Sequence, residues 1–138
     1  MLSVALCTYN GEKYIVEQLD SIAMQSVTVD EVVICDDVST DNTVKLVQDY
    51  TFTAPYNVRL FINETNLGST RNFEKALSLC NGDIIFLCDQ DDVWMPHKVE
   101  TIKNYLDNNP AKNVVFTNAF IVNAILRTVF DKQSRTRF

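Results

Sequence analysis

Three carboxylates fall within four residues at Asp89, Gln90, Asp91 and Asp92, directly after the apolar run Ile84, Ile85, Phe86, Leu87 and Cys88. Acidic side chains this close repel and raise one another's pKa unless a cation lies between them. A hard divalent ion is the natural partner, because Mg2+ and Mn2+ take oxygen ligands and keep positions open for phosphate oxygens. An isolated acidic run also reads as a solvated turn with helix-capping acids; its place at the end of a buried strand favours the metal.

Other polar groups gather after other apolar runs. Asp36 and Asp37 close the run Val32, Val33, Ile34, Cys35. Asp37, at a strand tip, can accept the ring N–H of a pyrimidine base, while Asp41 reads as a helix cap. Thr8, Tyr9, Asn10, Gly11 and Glu12 form a strand-to-helix turn without the GxGxxG of dinucleotide sites, which argues against a nicotinamide or flavin cofactor. Tyr9 can stack on a nucleobase or simply cover the core. Arg71, near the start of a helix, suits a diphosphate contact or an exposed helix charge. His97, the only histidine, reads as a surface residue before a general base. Trp94, the only tryptophan, reads as core before acceptor groove.

Short β-branched runs alternate with amphipathic stretches and supply the elements that must hold these groups. Leu2 to Cys7, Glu31 to Cys35, Val58 to Ile62, Asp83 to Cys88 and Val114 to Thr117 read as strands buried on both faces. Helical spacing marks Ile15, Leu19 and Ile22; Val44 and Val47; Phe73, Ala76, Leu77 and Cys80; and Val99, Ile102 and Leu106. Ser39 and Ser69 are available as N-caps, Pro96 suits a first helical turn, and Asn108, Asn109, Pro110 form a stop. The βαβαβαβαβ pattern predicts one α/β domain: a mainly parallel sheet, right-handed crossovers, helices on both faces, and ligands outside the carboxyl ends of the strands. Ala119 to Phe130 is apolar with weak periodicity, and no internal repeat or linker interrupts the chain.

Composition narrows the partners. With 46% apolar and 22% charged residues, the 138-residue chain has the make-up of one packed soluble domain. A net charge of −6 argues against nucleic-acid binding, which needs clustered Lys and Arg. The end of the chain is locally basic, with Arg127, Lys132, Arg135 and Arg137. Such a tail reads first as a solvated end and second as peripheral contact with an anionic membrane. Cys7, Cys35, Cys80 and Cys88 make no CxxC pair and read as small buried hydrophobes. No run approaches the ~20 apolar residues of a membrane span, and Met1 leads straight into a strand-like run. The expected location is the reducing cytoplasm.

Taken together, the stretches Val4 to Tyr14 (VALCTYNGEKY), Glu31 to Thr43 (EVVICDDVSTDNT), Asn66 to Leu77 (NLGSTRNFEKAL) and Gly82 to Lys98 (GDIIFLCDQDDVWMPHK) resemble family 2 glycosyltransferases. CDQDDVW is similar to bacterial enzymes of cell-surface polysaccharide assembly, including rhamnosyltransferase-like members. The resemblance implies the Rossmann-like GT-A fold and metal-dependent transfer, with inversion, of a sugar from a nucleotide-diphosphate sugar to an acceptor hydroxyl. The acceptor would be a saccharide or a lipid-linked saccharide, met at the inner face of the cell membrane. It also implies that Thr8, Tyr9, Asn10 and Glu12 form the first nucleotide-contacting loop and that Asp37 is the base-contacting acid. Asp89, Gln90 and Asp91 match the DxD motif, with Asp91 on the Mn2+ or Mg2+ and Asp89 on ribose or metal.

Here the chain departs from the family pattern, which places an acidic general base well downstream in the acceptor-binding half. Asp131 is the only acid after Asp107, and nothing around it resembles that motif. The expectation is a donor site without its base, which lies beyond Phe138, so that transfer by these 138 residues alone is weak or absent. Three rivals remain. An aspartyl phosphotransferase of the HAD-like type would phosphorylate Asp89, but needs a later lysine and acidic pair that cannot be placed. A signalling receiver domain would want its acidic pair on the first strand. A non-catalytic nucleotide-binding module would bind without transfer.

Overall fold

The structure, a computed structural model, describes residues 1–122 and 128–131. The chain divides into two compact units, Met1–Tyr105 and Leu106–Phe138. In the first unit four strands, β1 (Leu2–Thr8), β2 (Glu31–Asp36), β3 (Asn57–Ile62) and β4 (Ile84–Asp89), alternate with α1 (Ile15–Ala23), α2 (Thr43–Tyr50) and α3 (Ser69–Leu79). Helix α4 (Lys98–Asn108) follows β4 and ends where the Asn-Asn-Pro stop predicts.

All four strands run parallel in the order β3-β2-β1-β4. Parallel strands need crossovers, and right-handed crossovers place helices by the direction of travel across the sheet. The chain moves one way from β1 to β3, then returns past β1 to lay down β4. The two directions put helices on opposite faces. Leu2, Val4 and Leu6 of β1 accordingly point into a core with Ile15, Leu19 and Ile22 of α1, Val47 of α2 and Val99 of α4. The alternate residues Ala5 and Cys7 meet Cys35 and Ala76 of α3 in a second cluster. Large side chains on the first face and small ones on the second let α3 approach closely. Each buried Leu or Ile on the first face contributes roughly 1.5–3 kcal/mol.

β1 and β2 are buried throughout, as expected for central strands. β3 and β4 lie at the edges of this sheet and are only partly buried; in β4, Phe86 and Cys88 point inward while Leu87 and Asp89 are exposed. The expected fifth strand at Val114 to Thr117 is a correction: the stretch is irregular, with Val114 68% and Phe116 93% exposed. β-branched composition suits a strand only where a neighbour takes up its backbone N–H and C=O groups, and no described strand pairs there. The second unit instead pairs β5 (Phe120–Val122) with β6 (Thr128–Asp131) antiparallel. The middle of the apolar stretch Ala119 to Phe130, and Arg127, Lys132, Arg135 and Arg137, lie outside the described residues. No described helix is long and apolar enough to cross a membrane. Cys7, Cys35 and Cys88 are buried as expected, and Cys80 is half-buried.

Helix starts differ from expectation by a few residues. Ser39 lies upstream of α2 and bonds to Asp36; the Asp41 carboxylate accepts the Thr43 amide there, 3.0 Å away. Ser69 is the first residue of α3, preceded by Gly68 at φ +76°. Pro96 sits in the turn before α4.

One buried charge anchors the amino ends of the strands. Glu31, 1% exposed, accepts from Ser3 Oγ (2.7 Å), Arg59 Nη1 (2.9 Å), the Asn81 amide (2.7 Å) and Asn81 Nδ2 (3.2 Å). Burial alone would push its pKa up; these donors outweigh burial and hold it down at about 2.

Candidate active site

The order β3-β2-β1-β4 reverses direction between β1 and β4, and crevices at such switch points, outside the carboxyl ends of the strands, are where open α/β sheets take ligands. Thr8 ends β1 and Asp89 ends β4, so the Tyr9 loop and the acidic run face one another across that crevice. Tyr9 is 52% exposed, which removes the core-covering reading of its ring. Asp89, Asp91 and Asp92 are exposed. Partial burial pushes the Asp89 carboxyl above its usual range, and the charges of Asp92 and Asp91 push it further.

Among the described residues no group of three or more His, Cys, Asp or Glu side chains is arranged to hold a metal by itself. One or two carboxylates with uncompensated negative charge do fit an ion that completes its shell elsewhere, which is how Mg2+ is commonly held, by few carboxylates together with phosphate oxygens. The donor set therefore fits a shared ion rather than a caged one.

Three of the expected nucleotide-contacting side chains are bound into the loops themselves. Thr8 Oγ1 donates to Asp36 (2.8 Å). Asn10 Oδ1 accepts the Thr40 amide (2.8 Å), and Ser39 Oγ accepts the Asn10 amide (2.9 Å). Glu12 Oε2 accepts both the amide and Nδ2 of Asn42, each at 2.9 Å, while Asp41 accepts the Glu12 amide at 3.1 Å. These bonds lace the loop after β1 to the loop after β2 and leave Tyr9 as the outward member. Gln90 faces Tyr9 rather than open crevice: Oε1 accepts the Tyr9 amide (2.8 Å) and Nε2 donates to the Tyr9 carbonyl (3.0 Å). Arg71 is exposed on the first turn of α3.

Asp37, 4% exposed, organises the loop after β3. Its Oδ1 accepts from Asn63 Nδ2 (2.7 Å) and the Leu67 amide (2.7 Å), and its Oδ2 from the Gly68 amide (2.9 Å). Burial alone would raise its pKa, but these donors and the nearby Lys75 lower it overall. Asp37→Ala removes the acceptor of the Leu67 amide and one of two acceptors each of the Gly68 amide and the buried Asn63 Nδ2, and is expected to cost about 1–3 kcal/mol in urea unfolding. An unchanged midpoint would contradict this organising role.

The residues after Asp37 carry backbone strain. Val38 adopts φ +67° and Asn10 φ +51°. Asparagine tolerates the left-handed region, whereas a β-branched residue there is a genuine outlier of the kind that concentrates at functional loops.

Several contributors are not evident in sequence. Asn63 and Asn72 are buried, with Asn72 Nδ2 donating to the Cys35 carbonyl (2.8 Å) and Lys75 Nζ donating to Asn63 Oδ1 (2.7 Å). The available signal is Asn72 at helical spacing with Ala76, a polar residue on an apolar stripe. Trp94 is core as expected, 5.7 Å from the Phe86 ring, and Lys98 Nζ lies 4.2 Å over its indole. Burial pushes the Lys98 ammonium down, against the pull of Cys88 and Asp92. His97 is exposed and pairs with Glu100 at 3.2 Å.

Known proteins resemble this chain in sequence and in fold. The chain is 36% identical over 118 residues to the dTDP-rhamnosyl transferase RfbG of Shigella flexneri, covering 83% of this chain and 38% of that one. It superposes on S. aureus TarS 1-349 in complex with UDP with a TM-score of 0.71 and 32% identity, covering 79% of this chain and 32% of that one. The mannosyltransferase PcManGT of Pyrobaculum calidifontis, solved with GDP-Man and Mn2+, gives a TM-score of 0.63 and 32% identity, over 67% of this chain and 28% of that one. The parallel sheet with helices on both faces is thus that of the GT-A glycosyltransferases. The chain belongs to glycosyl transferase family 2, whose model matches residues 3–135. It spans 14% to 43% of the length of the curated relatives it matches.

Proposed function

We propose that residues 1–138 form the donor-binding domain of an inverting, metal-dependent hexosyltransferase that moves a sugar from a nucleotide-diphosphate sugar to a hydroxyl of a saccharide or lipid-linked saccharide. Its place would be cell-surface polysaccharide assembly, at the cytoplasmic face of the membrane. The observation that carries the reading is that exposed Tyr9, tied through its backbone to Gln90, stands beside the run that carries the exposed Asp89, Asp91 and Asp92 at the β1–β4 switch point of the sheet. UDP on TarS, and GDP-Man with Mn2+ on PcManGT, support it by analogy.

In this reading the Tyr9 ring stacks on the base, and Asp37 uses the free lone pair of Oδ2 for a base N–H. Asp91 and Asp89 hold the Mn2+ or Mg2+, and Arg71 meets the diphosphate. When bound, the ion supplies Lewis-acid stabilisation of charge on the departing diphosphate. The bonds of Thr8, Asn10 and Glu12 fix the loop before ligand arrives, so less ordering is charged against binding.

Removal of metal tests it. Titration with UDP, GDP and dTDP is expected to show binding of at least one in Mn2+, weakened about 100-fold or more by EDTA, a loss of about 3 kcal/mol or more. Binding equal in EDTA removes the metal role; binding of none of the three removes the nucleotide reading.

A further inference from the structure

We infer that Gln90 is a positioning residue for the donor site: its carboxamide clamps the Tyr9 peptide and thereby sets the spacing between the Tyr9 ring and the carboxylates on either side of Gln90. This rests on the reading of Tyr9 and Asp91 as donor contacts and adds a role that the motif itself does not describe.

The clamp is two-pronged. Oε1 accepts the Tyr9 N–H at 2.8 Å and Nε2 donates to the Tyr9 C=O at 3.0 Å, so one side chain satisfies both polar groups of one residue across 81 positions of sequence. The strand ladder ends just below: Cys7 pairs with Asp89 in register, and beyond these residues no β1–β4 pairing continues. The Gln90 amide therefore extends the β1–β4 connection one step past the sheet, where backbone pairing no longer does so. Only a carboxamide offers a donor and an acceptor side by side for this purpose. Because Gln90 stands between Asp89 and Asp91, any shift of the clamp moves both flanking residues relative to Tyr9.

Gly11 supports the same conclusion from the other side. A Cβ built on Gly11 would lie 2.2 Å from Gln90 Oε1 and 2.5 Å from its Cδ. Gly11 is buried, and its amide donates to Thr43 Oγ1 at 2.8 Å, so the backbone is held where it is. The missing side chain at Gly11 leaves the space that the carboxamide fills. Any Cβ there has to displace the amide, which is the end of a flexible side chain and moves without dragging the backbone.

The test uses the whole chain, UDP with Mn2+ as probe, and hydrogen exchange of the Tyr9 amide without ligand. Gln90→Met keeps the length and removes both hydrogen bonds. It is expected to speed exchange at Tyr9 and to weaken UDP binding about tenfold. In a Tyr9→Ala background the same substitution is expected to change affinity less than about twofold, because its effect runs through Tyr9. Gly11→Ala is expected to copy Gln90→Met, and to become silent once Gln90→Ala has vacated the space. Thermal unfolding of each variant separates these effects from general loss of fold.

Additive losses from Gln90→Met and Tyr9→Ala overturn the inference, since Gln90 then contacts the ligand itself. Unchanged exchange at Tyr9, or a Gly11→Ala loss that persists without the Gln90 side chain, overturns it equally. Failure of wild-type chain to take up UDP, GDP or dTDP removes the nucleotide reading and this role together, whereas UDP binding with additive variants removes this role alone.

Discussion

Asp91→Ala is expected to weaken UDP binding in Mn2+ by about 100-fold or more, close to 3 kcal/mol, with no change in the thermal midpoint. Asp91 is exposed, and its loss should open no cavity in the core. The size of the effect follows from how little the protein offers the ion. With no cage of three ligating side chains among the described residues, each carboxylate accounts for a large share of the protein's hold on the metal. Asp91→Asn keeps one oxygen without the charge and should fall between wild type and alanine. Asp92→Ala should matter less, because in the assigned set that residue acts on Asp89 by charge alone. Titration calorimetry in Mn2+ and in EDTA decides the matter: an alanine variant that keeps its Mn2+-dependent affinity excludes Asp91 as a ligand.

Glu31→Gln is expected to destabilise the fold by about 3 kcal/mol at neutral pH. The carboxylate is almost wholly buried and meets the Arg59 guanidinium at 2.9 Å, so the substitution leaves a cation facing a neutral amide. The sign of the pH dependence follows from the lowered pKa. A group held at about 2 in the fold and titrating near 4.5 when unfolded contributes fully above about 4.5 and progressively less as pH falls toward 2. Wild type should therefore lose more stability than Glu31→Gln between pH 5 and about 2.5, and the two urea midpoints should converge. Adding Arg59→Met to Glu31→Gln should recover part of the loss, since the unpaired charge goes with it. Parallel pH profiles for wild type and variant would contradict the assignment.

The carboxylates at the strand tips were legible because each follows an apolar run long enough to be a strand, and a parallel sheet has only one end for its ligands. Strand order was not legible. Pairing of β1 with β4 joins residues about 80 positions apart, and nothing local in either run selects its neighbour. The order is what brought the loop after β1 and the acidic run after β4 to one crevice, with Tyr9 and Asp89 on either side. Val114 to Thr117 misled because β-branched residues report suitability for a strand, not the presence of a partner. The polar loop residues Thr8, Asn10 and Glu12 could be placed after the first strand, but whether a side chain faces outward or a neighbouring loop depends on contacts between segments about 30 residues apart. Asn63 and Asn72 were overlooked for the same reason: a buried amide differs from a surface one only in what surrounds it.

The left-handed valine at position 38 bears on how this loop could be altered. Val38→Gly would relax the folded backbone at φ +67°, by an amount on the order of 1 kcal/mol. The same change widens the range of shapes open to the unfolded chain, a loss of similar size. The two nearly cancel in equilibrium stability, but they act on different states. Glycine would let the residues after Asp37 wander in the native protein while leaving its melting point almost untouched, so a stability screen would pass over a substitution whose consequence is a looser turn at the tip of β2.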